Sequence, residues 1–202
     1  MKTLLSASLA IFFLLLTSTA EAKNPKVVSV IGISGETAMA CSGFVLNENT
    51  ILTSAHCVYG ADNVLVDGEQ AVSFEAHPKF KMDVFGLNDV AIVFTKKKYK
   101  NNGCRIAESE LDKRIMQARS IIFNVETTVF LEVSVSSDIL IIANGRIVQG
   151  MSGGPLYDQQ CNIYGITSFS GSDGSAGFAA LNREKVAWIN LRQKETSRNT
   201  QE

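Results

Sequence analysis

The chain has 202 residues, with 19 basic and 20 acidic side chains and a formal net charge of −1. That balance excludes a broad basic surface for nucleic acid or an anionic membrane. A chain of this length suits one domain of ordinary size, or two small barrels that share an interface.

Residues 1–22 carry a targeting pattern. Lys2 supplies a basic start, residues 4–16 an apolar run, and Ala20-Glu21-Ala22 a small-x-small cleavage site. Together these predict a secretory signal removed after Ala22. The apolar run falls short of the roughly 20 residues that span a bilayer, and no cysteine follows it for lipid attachment. Lys2 and Glu21 cancel, so the mature chain from Lys23 keeps the same net charge. Four cysteines in an exported chain imply an oxidising compartment and up to two disulfides.

Next come short runs rich in β-branched and aromatic residues, at 27–33, 39–46, 50–54, 64–66, 71–77 and 90–94. Gly35, residues 47–49, Asp67-Gly68 and residues 86–88 punctuate them. The lysines at 96–98 and 100 read as a solvated loop. Residues 105–118 fit either a short helix or an extended connection. A second strand set follows at 120–125, 128–136, 139–143, 156–157, 163–169 and 177–181. Residues 182–194, with Val186, Ile189 and Leu191 near helical spacing around Trp188, predict a closing helix. A frayed, disordered tail is expected at 195–202. Many short strands between polar turns indicate an all-β barrel or sandwich.

Three segments carry chemistry. Gly150-Met151-Ser152-Gly153-Gly154-Pro155 sets a serine among glycines, which let the backbone adopt conformations a side chain forbids. A serine hydroxyl is a poor nucleophile without a base and an orienting carboxylate. Thr53-Ser54-Ala55-His56-Cys57 offers the base, and Asn88-Asp89-Val90-Ala91-Ile92-Val93 puts an acid at the mouth of an apolar strand. Asp83 has no such strand behind it and reads as a surface residue, as does His77. The order His56, Asp89, Ser152 is one of three known chain orders for this triad geometry.

These segments resemble the trypsin/chymotrypsin-like serine peptidase family, whose motifs read T-A-A-H-C, D-[IV]-A-[LV] and G-D-S-G-G-P, and the resemblance runs from about Val27 to Leu191. It implies two six-stranded antiparallel Greek-key β-barrels, at about 23–104 and 105–181, and a C-terminal helix at 182–194, together one peptidase domain. It pairs Cys41 with Cys57, worth about 3 kcal/mol of loop closure in the chain-entropy model, and leaves Cys104 with Cys161. The implied activity is a secreted or periplasmic serine endopeptidase acting on protein or peptide substrates through an acyl-enzyme. No metal, cofactor, nucleic acid or membrane partner is implied, and the expected state is a monomer. Ser152 would attack, His56 would shuttle the proton, Asp89 would orient the imidazole, and the N–H groups of Gly150 and Ser152 would face the oxyanion.

Met151 stands where zymogen-type members carry an aspartate that pairs with a newly cut N-terminus. No Ile-Val-Gly-Gly segment exists, and only residues 23–25 or so precede the first strand. Both features resemble bacterial V8-like and HtrA-like members and imply activity without proteolytic activation. By the same resemblance, Ser168, Phe169 and Ser170 would pair with the substrate backbone, and Gly177 would form an open pocket wall. Arg146 turned inward would select an acidic P1 residue; turned outward, it would leave an apolar pocket at Ile147 and Val148. The competing functions are a non-catalytic peptide-binding homologue and an exported esterase.

Overall fold

The structure is a computed structural model and describes residues 23–83, 86–107, 111–112 and 115–199. The signal-like segment at 1–22 lies outside them. Among the described residues, fourteen strands form two sheets, each curved around its own apolar cluster, and one α-helix follows them.

The first sheet contains β1 (Val27–Ser34), β2 (Thr37–Asn47), β3 (Thr50–Thr53), β4 (Asn63–Val66), β5 (Glu69–Gln70), β6 (Ser73–Ala76) and β7 (Ala91–Phe94), in the order β5-β4-β1-β2-β3-β7-β6. The second contains β8 (Arg105–Ile106), β9 (Ile115–Ile122), β10 (Val125–Ser136), β11 (Leu140–Asn144), β12 (Pro155–Tyr157), β13 (Asn162–Ser170) and β14 (Ser175–Ala180). Its order is β12-β9-β10-β11-β14-β13-β8, and the β12–β13 pairing closes six of these strands into a barrel. The two-residue β8 is appended to β13 in parallel. Helix α1 spans Arg183–Asn199. The expected all-β chymotrypsin-like fold with a closing helix is thus observed.

Alternation across the pleat explains why the central strands read as continuous apolar runs. Val45, Ile51 and Val93 point into the first barrel. Their neighbours Phe44, Leu52 and Ile92 point the other way, into a layer completed by Tyr157, Ile163, Ile166, Trp188 and Ile189. That layer joins the barrels and seats α1. A third cluster, including Met116, Leu131, Ile141, Leu156 and Phe178, fills the second barrel. Disulfides join Cys41 to Cys57 and Cys104 to Cys161.

One open alternative is decided and two expectations change. Of residues 105–118, those described are extended where they form β8 and the start of β9. The strand expected at 120–125 breaks at Phe123-Asn124, a two-residue hairpin turn with φ of 48° and 64°. Asparagine tolerates that left-handed region, whereas the β-forming run around it concealed the turn. Helix α1 also continues past Lys194 to Asn199, supported by an Arg192–Glu195 ion pair one turn apart and a Ser197 hydroxyl donating to Gln193 O.

Candidate active site

His56 lies in a 3-10 turn, Ala55–Cys57, directly after β3, and the adjacent Cys57 is bridged to β2. Asp89 is delivered by a tight turn. Asn88 adopts φ +56° and its carbonyl accepts the N–H of Val90, so the chain enters β7 with the carboxylate fully buried. A buried carboxylate is costly unless its oxygens are satisfied. Asp89 accepts the main-chain N–H of His56 at 2.9 Å on Oδ1, while Oδ2 lies 2.7 Å from His56 Nδ1 and accepts the Ser168 hydroxyl. An acceptor-only carboxylate keeps the imidazole proton on Nδ1, which leaves Nε2 as the basic nitrogen. The imidazole edge is 11% exposed, open enough to meet a substrate.

The serine loop packs against the strand that leads to His56. The N–H of Gly153 donates to Thr167 O at 2.8 Å, and the hydroxyl of Ser54 donates to the same carbonyl at 2.6 Å. One residue after Ser152 and one two places before His56 therefore share an acceptor. Space here is tight. A Cβ on Gly153 would lie 2.0 Å from Ser42 O and 2.2 Å from Thr53 Oγ1, and one on Gly154 would lie 2.2 Å from Arg119 O. Only glycines fit both positions. The side chain of Ser152 is half-buried, and among the described residues its hydroxyl makes no hydrogen bond to the imidazole.

An amide inventory of the loop is informative, because buried or confined N–H groups are normally paired. Met151 N–H donates to Val148 O at 3.1 Å, Gly153 N–H to Thr167 O, and Gly154 N–H to Met151 O at 3.0 Å. Among the described residues, the N–H groups of Gly150 and Ser152 donate to nothing in the chain. The free amides, one on Ser152 itself and one two residues before it, are the two donors an anionic oxygen would require. Met151 is 1% exposed within the second-barrel core, and its sulfur accepts the Val148 N–H at 3.4 Å.

Other sequence-derived assignments fare unevenly. Ser168 is buried and uses its hydroxyl on Asp89, a role not anticipated from the sequence. Phe169 is half-buried and Ser170 exposed. The open wall expected at Gly177 is closed on its side-chain face: an added Cβ would meet the Phe169 ring at 2.2 Å, and one on Gly86 would meet the same ring at 2.8 Å. The cause is local pairing, since Phe169 lies opposite Gly177 across a bulge in the β13–β14 ladder. Arg146 and Val148 are exposed, whereas Ile147 is buried in the second-barrel core. His77, expected on the surface, is 3% exposed and packs edge-on against Trp188 at 5.0 Å. Asp83 is exposed. Ligand atoms of Cys41, His56 and Cys57 lie within 4.8 Å of one another, but both sulfurs are in the disulfide and offer no thiolate to a metal.

The chain belongs to the trypsin family, whose profile (Trypsin) matches residues 17–121, just over half of its length. That match contains the His56 and Asp89 segments and ends before Ser152. Solved structures extend the likeness through both barrels. The active form of the Rv3671c protease from M. tuberculosis is 18% identical, with a TM-score of 0.65, over 82% of this chain and 79% of that one. HL collagenase is 20% identical at a TM-score of 0.69, over 86% and 94%. A scabies mite inactivated protease paralogue is 16% identical at 0.67, over 86% and 96%. A search of curated protein sequences finds no match.

Proposed function

We propose that this trypsin-family chain is an exported serine endopeptidase, with Ser152 as nucleophile, His56 as general base and then acid, and Asp89 as the group that orients and stabilises the imidazolium. One observation carries the reading: buried Asp89 takes both the ring and main-chain N–H groups of His56, on a turn tied to the serine loop through Thr167 O. In the reaction Nε2 removes the Ser152 proton as Oγ attacks the scissile carbonyl. The negative charge then develops on an oxygen facing the N–H groups of Gly150 and Ser152. The same proton passes to the leaving amine, and water repeats the sequence on the acyl-enzyme.

Met151 supports activity without prior cleavage. Its buried thioether fills the site from which a charged tie to a new N-terminus would have to come, so the loop takes its shape from packing. The exposed side chain of Arg146 favours an apolar or small P1 residue over an acidic one, and the Phe169 ring against Gly177 narrows the space further. Export by the 1–22 segment suits the two disulfides. Among the described residues, no helix is long and apolar enough to cross a membrane. A monomer cleaving protein or peptide substrates completes the proposal.

The test is fluorophosphonate labelling of purified protein followed by peptide mapping. The expected adduct is on Ser152 and disappears in Ser152→Ala, along with peptide hydrolysis. Folded wild-type protein that takes no label and cleaves no member of a mixed peptide library would instead be a binding homologue.

A further inference from the structure

The two unpaired amides, of Gly150 and of Ser152 itself, belong to residues whose carbonyls are both held by one residue of the other barrel. Ser42, fully buried in β2, donates its hydroxyl to Gly150 O at 2.8 Å and its main-chain N–H to Ser152 O at 2.7 Å. Its remaining polar capacity is also engaged. The hydroxyl oxygen accepts the Ile121 N–H at 3.0 Å, and the Ser42 carbonyl accepts the Thr53 hydroxyl at 2.7 Å. That carbonyl is one of the atoms that forbid a side chain at residue 153.

The consequences follow from peptide geometry. Each carbonyl fixes the plane of the peptide that follows its residue. The Gly150–Met151 plane is held by Ser42 Oγ at one end and by Val148 O at the other. The Ser152–Gly153 plane is held by Ser42 N–H and by Thr167 O. These two planes carry the Met151 and Gly153 N–H groups. The free Gly150 and Ser152 N–H groups lie in the adjoining peptides, the Met151–Ser152 plane between the two held ones. The anchoring therefore reaches them through the φ and ψ angles of residues 150–152, with Gly150 at φ +92°. Met151 contributes buried contacts and a weak sulfur acceptor, with no charged tie to hold the loop. Cys41, next to Ser42, is bridged to Cys57, next to His56, so one covalent link braces this anchor and the base together.

We propose that Ser42 is the positioning residue that sets the direction and spacing of the Gly150 and Ser152 amides, so that a hydroxyl supplied by the first barrel preorganises the oxyanion site of the second. This inference rests on the peptidase reading above. Ser42 touches no reacting atom. Its effect belongs to the transition state, when charge appears between the two amides, and not to ground-state binding.

The experiment compares wild type with Ser42→Ala, Ser42→Gly and Ser42→Thr, using a cleaved library peptide and its trifluoromethyl ketone, which forms an oxyanion on attack by the serine. Losing one direct donor in related sites costs about 10²- to 10³-fold, so losing its anchor should lower kcat by about 10- to 100-fold. The Ala and Gly variants should keep KM within about threefold, because ground-state contacts are untouched. Their affinity for the ketone should fall in the same ratio as kcat, and the Thr variant, which keeps the hydroxyl, should recover most of both. A folded Ala or Gly variant with wild-type kcat would overturn the proposal. So would a kcat loss without loss of ketone affinity, or hydroxyl-free variants that fail to fold beside an active Thr variant, since the hydroxyl would then be purely structural. Wild type that takes no fluorophosphonate would overturn the peptidase reading itself, an outcome distinguishable from a labelled wild type whose Ser42 variants are unaffected.

Discussion

The chain has two histidines, His56 and His77, and their surroundings could hardly differ more. His56 is held on both its ring and main chain by a buried carboxylate and keeps an edge open to the cleft. His77 is sealed beneath Trp188 on helix α1, and burial, with the nearby Lys185 ammonium adding to it, holds its pKa below the ordinary value. Glu184 pulls the other way and Lys79 adds a smaller push downward, the two being paired at 2.6 Å across the same seam. The same ring chemistry therefore serves the candidate reactive site in one place and a docking seam in the other. A counter-charge with access marks the first; apolar cover without a carboxylate partner marks the second.

The largest way to break this contrast is at the first site. Asp89→Asn should lower kcat about 10⁴-fold, because the wrong imidazole tautomer would be held toward Ser152. Steady-state hydrolysis checks this, and a loss below tenfold would mean that Asp89 does not set the tautomer. The second site should respond in stability instead. Trp188→Ala opens a void between α1 and the layer joining the barrels and should cost about 3–5 kcal/mol in chemical denaturation. Activity per folded molecule should stay near wild type; a collapse of kcat in folded protein would show that helix docking reaches the cleft.

The smallest effect sharpens the comparison. The Lys185 ammonium is fully buried without a hydrogen-bond partner among the described residues, and burial pushes its pKa down. Lys185→Met should raise stability by about 1 kcal/mol, or ~2–4 °C in Tm for a domain of this size. The pH dependence has a defined sign. A histidine whose pKa is lower in the folded state binds fewer protons there, so stability is complete above the unfolded value of 6.5 and falls as pH drops below it. Removing the neighbouring cation should raise the folded value toward the unfolded one and so make that fall smaller, with its onset unmoved, in melts between pH 4 and 8. An unchanged acid limb would mean that burial alone governs His77.

How far the sequence could be read depended on the range of each interaction. Strand positions in the first barrel and the segments bearing His56, Asp89 and Ser152 leave local patterns of alternation, turn residues and motif. The turn at Phe123-Asn124 was hidden because its neighbours are strong strand formers and only φ marks the break. The hydroxyl of Ser168 on Asp89 spans 79 positions, and that of Ser42 on Gly150 spans 108; no periodicity encodes either. His77 looked like a surface residue because nothing near it along the chain reveals that Trp188 will cover it.

The sequence by itself determined the all-β class, the closing helix and the family to which the three motif segments point. Each of these is written in residues close together along the chain, where propensity and pattern act directly. Only the tertiary structure decided that Asp89 would be satisfied by three donors, that Phe169 would cover Gly177, and that Ser42 would hold the serine loop. The Ser168 and Ser42 contacts form where the two barrels meet, and the others join strands of one barrel that are remote along the chain. Burial at that seam turns otherwise ordinary polar groups into obligatory hydrogen-bond partners.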